Sequence, residues 1–217
     1  LALTGAYAGS STKRRFLETA SFWIDVSEPG GLAPGAPGRA AALRVRIMHV
    51  FVRRRLLSHP EWDLEAWGVP ISQADALLTL MGGSVAPGLA LSALGYRTSA
   101  REVRATMHFW RYVGHLMGVR PRWFPQSVRE AMQLAFVTFA KGANRASEDG
   151  RRLCQSYVEA FTPSEAETSL RARLEDRWHR GTTELSFPPW IRRQMGIPSV
   201  GAWALVPLLR TPFVFAA

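Results

Sequence analysis

Apolar residues recur every three to four positions along most of this chain, the spacing at which a helix buries one face. The pattern predicts helices over 11–26, 39–58, 101–117, 126–141, 145–161 and 163–180, with a last short amphipathic piece at 191–195. Between them, 76–81 is an apolar helical run that Gly82-Gly83 and Pro87-Gly88 are expected to break, with a shorter helix following to residue 94. No stretch alternates with period two and no segment repeats, so the predicted class is all-α, with 1–217 forming a single helical domain.

Helix boundaries carry their own signals. Ser72 with Asp75 and Ser99 with Glu102 are spaced as capping pairs, and Thr162, Pro163 and Glu165 read as cap, first and third positions of the helix at 163–180. The stretch 28–38, Glu-Pro-Gly-Gly-Leu-Ala-Pro-Gly-Ala-Pro-Gly, is a loop no helix can cross. His59 precedes Pro60 and so ends the second long helix, and 62–70 is an aromatic-bearing connection.

Charge changes this picture less than its size suggests. The chain carries 27 basic residues, of which only Lys13 and Lys141 are lysine, against 17 acidic ones, for a net charge of +10. Such a balance invites a nucleic acid or an anionic membrane as partner. The arginines are spread over every helix and no zinc-finger spacing, ribonucleoprotein signature or phosphate loop accompanies them, so no nucleic acid is expected; a peripheral membrane contact stays open. A single cysteine, Cys154, rules out an intrachain disulfide framework. No signal peptide is visible, the apolar tract 202–217 is broken by Pro207, Arg210 and Pro212, and cytoplasmic is the default location. Starting at Leu1 without an initiator Met, the chain reads as one that could be truncated at its N-terminus.

The candidate chemistry sits in the helix 39–58. At about 100° per residue, His49 shares a face with Ala42, Val45, Val52 and Leu56, and Arg46 and Arg53 flank that stripe. Two readings fit: a core histidine bonded to a backbone carbonyl under a basic surface, or an axial haem ligand with arginines as propionate partners. In the first helix Arg15 and Thr19 lie four apart, on the face of Phe22 and Val26, as an exposed Arg with a back-bonding Thr or as a polar pair beside a cofactor. His108 and His115 share a face seven apart, but no Asp or Glu and no His-Glu-x-x-His accompanies them, a weak case for a metal.

Five segments, taken in order, resemble the latex clearing protein (rubber oxygenase) and MpaB-like oxygenase family. They are Arg15-Phe16-Leu17-Glu18-Thr19, the loop from Pro29-Gly30-Gly31-Leu32 to Gly38, Val45-Arg46-Ile47-Met48-His49, Trp67-Gly68-Val69-Pro70-Ile71-Ser72-Gln73-Ala74-Asp75, and Trp110 to Val119. The resemblance covers about residues 14–119 and implies a globin-like helical core holding haem b, and the use of dioxygen to cleave carbon–carbon double bonds in an apolar small-molecule or polymer substrate such as polyisoprene. It implies that His49 is the iron ligand and that Arg15 and Thr19 are the catalytic polar pair; Arg46 and Arg53 enter as cofactor-binding candidates from helix geometry alone. Members can carry a lysine before that threonine, able to reach the distal iron position; Glu18 stands there in this chain, so such capping is not expected. The glutamate proposed as base in the family would fall before Leu1. The alternative reading is a haem-free basic helical protein that binds a membrane surface or another anionic partner.

Overall fold

The computed structural model describes residues 11–93, 97–143, 148–167, 169–187 and 189–210. Among them the chain is helical throughout: α1 (Ser11–Ser27), α2 (Pro37–Leu57), α3 (Leu64–Trp67), α4 (Gln73–Ala93), α5 (Ala100–Leu116), α6 (Val128–Ala143), α7 (Glu148–Val158), α8 (Leu170–Ser186), α9 (Pro189–Met195) and a closing 3₁₀ helix, Gly201–Arg210. No strand occurs among the described residues, and the all-α expectation is met. Contacts divide the chain into two compact units, one built from 18–93 and 97–138, the other, among described residues, from 11–17 and from 139 onward.

The first unit is organised on α4 and α5. Its core joins Val26, Leu77, Leu80, Met81, Val85, Val103, Met107, Trp110, Val113 and Phe124 in one buried cluster. Both helices begin where the sequence places their caps: the Asp75 N–H donates to Ser72 Oγ at 3.1 Å, and Ser99 and Glu102 form a reciprocal capping box. The predicted break at Gly82-Gly83 and Pro87 does not occur; α4 runs on for 21 residues with Pro87 inside it. The reason is tertiary. A Cβ on Gly83 would lie 3.0 Å from the Trp110 ring, one on Gly88 2.9 Å from Val103, and one on Gly114 2.4 Å from Leu80. Glycines at the crossing let α4 and α5 run antiparallel at close range, and the packing gained offsets the roughly 1 kcal/mol that each helical glycine costs.

The second unit shows a larger correction. Residues 163–167 are not helical, with a turn only at 165–166, and α8 starts only at Leu170, where Ser169 caps it by accepting from the Ala172 N–H at 3.2 Å. Thr162 does not cap a helix of its own. Its hydroxyl bonds sideways to α8, to Asp176 Oδ1 at 3.2 Å and from Arg180 Nη2 at 2.6 Å, and Arg180 and Asp176 pair in turn at 2.8 Å. The 3₁₀ helix packs so tightly on α8 that a Cβ on Gly181 would meet the Trp203 carbonyl at 2.5 Å. Glu184 binds the segment before it, accepting from Ser199 Oγ and the Val200 N–H, both at 2.7 Å, and pairing with Arg192.

Other predicted bounds move by two or three residues: α2 begins at Pro37, whose missing N–H costs nothing in a first turn, and α6 begins at Val128 behind the Ser127 cap. The predicted start of α7 at 145 and the apolar tract 211–217 lie outside the described residues.

Candidate active site

His49 lies on the inner side of α2, between the buried Ala42 and Leu56. Three elements of the first unit converge on it: α2 itself, the entry to α4, and the turn after α5. They enclose a cavity of about 200 Å³ whose wall includes Arg46, His49, Arg53, Ile71, Gln73 and Met117. The sequence-predicted trio Arg46, His49 and Arg53 is thus brought together at one cavity.

The wall is held by polar contacts that no local pattern announces. Arg53 Nε donates to the Pro70 carbonyl at 3.0 Å and Nη2 to the Ile71 carbonyl at 2.8 Å. These bonds hold Ile71 at a φ of +53°, a conformation costly for a β-branched residue, at the point where the chain turns into α4. Gln73, in the first turn of α4, reaches across to the turn after α5: its Nε2 donates to the Gly118 carbonyl at 3.3 Å and its Oε1 accepts from the Arg120 N–H. Gly118 has a φ of +82°, and Arg46 lies against it, 3.2 Å from where a Cβ would stand. Ile71, Gln73 and Gly118 are site residues that sequence reasoning missed. The signal that could have found them was that Ile71 and Gln73 fell inside the Trp67–Asp75 segment and Gly118 inside Trp110–Val119.

Burial and the neighbouring Arg53 charge both push the His49 pKa below its ordinary value. The imidazole is therefore neutral near pH 7, with a lone pair available to a metal. His179 of the second unit is likewise lowered, mainly by burial; it is packed between Tyr157 and Phe161, and its Nε2 donates to the Tyr157 carbonyl at 2.8 Å. A groove of about 680 Å³ runs beside it along α8, but that nitrogen is already committed to the carbonyl. For both histidines the folded state binds its proton less readily than the unfolded chain does. Stability is then complete above the unfolded value of about 6.5 and declines as pH falls below it. Urea midpoints measured at pH 7.5 and 5.0 should show this loss, and His49→Gln should make it smaller.

The remaining candidates are not among the residues that line the cavity. Thr19, on α1 in the first unit, is exposed; Arg15 is half-buried and belongs to the second unit. His108 and His115 are both exposed on α5, and no cluster of three or more His, Cys, Asp or Glu side chains suited to a metal occurs among the described residues.

A model of the family described as ER-bound oxygenase mpaB/B'/Rubber oxygenase, catalytic domain, matches residues 1–216. The chain belongs to that family. Among curated relatives, the rubber oxygenase of Streptomyces sp. (strain K30) is 27% identical over 119 residues, which are 54% of this chain and 29% of the relative. A solved structure of latex clearing protein in the closed state superimposes with a TM-score of 0.73 at 18% identity, covering 93% of this chain and 54% of the other. This family member therefore has the latex clearing protein fold, and it spans less than a third of the one relative and about half of the other.

Proposed function

We propose that this chain works as a haem-b-dependent oxygenase, using dioxygen to cleave carbon–carbon double bonds of an apolar, isoprenoid-like substrate. What carries the reading is the setting of His49, an imidazole kept neutral at a cavity edged by two guanidinium groups, in a chain whose family is described as oxygenases. A porphyrin brings four nitrogens of its own, so one protein ligand suffices for its iron, and His49 is that ligand. Arg46 and Arg53 fit the anionic propionates; Arg53 spends Nε and Nη2 on carbonyls, and Nη1 takes no part in those bonds. The donor chemistry fits the cofactor, while the cavity volume of about 200 Å³ lies below the usual 300–1,000 Å³ of ligand pockets.

When bound, the haem would supply the iron and the redox chemistry that leave two carbonyl ends from one double bond. The chain's own residues have other tasks. His49 would hold the iron, and the apolar Ile71, Met117 and Val119 keep water from the cavity; Arg15 and Thr19, one turn apart on α1 and not among the cavity-lining residues, are the proposed hydrogen-bond donors on the strength of the family resemblance.

The test begins with absorption. Protein expressed with a haem precursor should show a Soret band and near-unit haem by the pyridine haemochrome assay, and His49→Ala should lose both. A folded wild type without haem would overturn the reading. Haem-loaded protein should then consume dioxygen with squalene or polyisoprene, and Arg15→Ala or Thr19→Ala should keep the haem while slowing turnover by roughly 10²-fold or more.

A further inference from the structure

The face of α2 turned away from His49 has no partner among the described residues. Leu43, Ile47 and Phe51 follow one another at i, i+4 and i+8, and all are exposed, Ile47 by 57% and Phe51 by 65%. They cover an arc of roughly 80°, centred about 160° from His49. Large apolar side chains gathered on one helix face, unlike singly scattered ones, mark a contact surface.

The same helix identifies what it would contact. Its 21 residues include Arg39, Arg44, Arg46, Arg53, Arg54 and Arg55 and no acidic residue. Arg53 is tied to the loop at Pro70 and Ile71, but Arg44, Arg54 and Arg55 are exposed. Arg54 falls within the apolar arc and Arg44 and Arg55 along one border of it. A strip of Leu, Ile and Phe with arginines in and beside it, in a chain of net charge +10, complements a surface that is apolar below and anionic above. Long arginine stems let the aliphatic part follow the apolar side chains while the guanidinium stays with the phosphates. Directly after α2, Leu64, Trp67 and Val69 are each more than half exposed, and an exposed tryptophan is a side chain suited to the lipid–water interface. Among the described residues no helix is long and apolar enough to cross a membrane, so the contact they offer lies in the plane of the surface.

We infer that α2 docks on an anionic lipid bilayer through Leu43, Ile47 and Phe51, with Arg44, Arg54 and Arg55 bound to headgroups. The helix then carries two functions on opposite sides, His49 inward and lipid outward. An apolar substrate dissolved in the bilayer would meet the protein where its candidate cofactor ligand is anchored. The inference does not require haem, and its test reads none.

The experiment is co-sedimentation with phosphatidylcholine vesicles, with and without phosphatidylserine, at low and high salt. Binding is expected only to the anionic vesicles and to weaken with salt. Ile47→Ser with Phe51→Ser, and separately Arg44→Gln with Arg54→Gln, should each lower it by about tenfold or more, since either loss removes on the order of 1.4 kcal/mol or more. Helix content and unfolding midpoint should stay unchanged, because all four side chains are exposed. The inference fails if the wild type ignores anionic vesicles or if neither pair lowers binding. It also fails if the wild type elutes as a dimer that Ile47→Ser with Phe51→Ser returns to monomer, which would make a second copy the occupant of this face.

Discussion

Trp110→Ala should destabilise the first unit by about 3–5 kcal/mol, the upper range for loss of a core aromatic. Trp110 is 5% exposed, and its ring contacts three others: Trp23 at 5.1 Å, Phe109 at 5.9 Å and Phe22 at 6.5 Å between centroids. Each such pair adds about 0.5–1.5 kcal/mol beyond the area it buries. On its remaining side the ring lies against the backbone of α4 at Gly83. That wall cannot collapse into the vacancy, because Gly83 has no side chain to rotate inward and α4 is held to α5 again at Gly88 and Gly114. Chemical denaturation of the variant against wild type measures the loss. Trp110→Phe, which keeps a ring between Phe22 and Trp23, should lose clearly less; equal losses would mean that the ring contacts are not what stabilises this core.

Gly38→Ala is the second large effect, at about 3 kcal/mol or more, the high end for overpacking. A Cβ at Gly38 would stand 2.2 Å from the Asp25 carbonyl oxygen and 2.7 Å from that of Gly31. Both are backbone atoms, so no rotamer change relieves the clash. The end of α1, the loop and the first turn of α2 are one packed body here, with the Arg39 N–H donating to the Gly31 carbonyl at 2.8 Å. Relief requires moving the start of α2, so the variant should also weaken whatever binds at His49. Gly35, three residues earlier, gives the contrast. Its φ is +82° but nothing lies within 4 Å of its Cβ position, so Gly35→Ala should cost only the left-handed penalty, about 1–2 kcal/mol. Unfolding midpoints of the two variants test the ranking, and the reverse order would refute it.

The loop shows how far the sequence could be read. Its prolines and glycines marked a segment no helix could cross, but nothing in their spacing told Gly38, against backbone, from Gly35, in open space. The same limit explains the misplaced helices. Ser72, Asp75, Ser99 and Glu102 act on their own turns, and their caps were legible. Thr162 had the right neighbours for a cap, yet its hydroxyl is used by Asp176 and Arg180, residues fourteen and eighteen positions away. Gly82, Gly83 and Pro87 looked like breaks because intrinsic propensity is local, whereas α4 is kept whole by Val103 and Trp110 on another helix.

The candidate site divides in the same way. Arg46, His49 and Arg53 lie on one helix, so their common face followed from the period of 3.6 residues. Ile71, Gln73 and Gly118 reach the same cavity from other elements, and their roles depend on tertiary approach. Arg53 was legible as a charge near His49, but not as the group that holds the turn at Pro70 and Ile71.

The division into two units bears on the order in which the chain can assemble during synthesis. Every residue lining the His49 cavity lies between positions 46 and 119, so the ribosome delivers that cavity complete while the later part of the chain is still to be made. The first turns of α1 are in the opposite situation. Phe16 stacks edge-on against Tyr157 at 4.6 Å and Lys13 sits over the Phe161 ring at 5.0 Å, partners that emerge about 140 residues afterwards. At about 5–20 residues per second, that is a wait of some seconds to half a minute. The nascent chain thus exposes the apolar Phe16 for that time before its partner arrives, and this end of α1 is a place a ribosome-bound chaperone would shield.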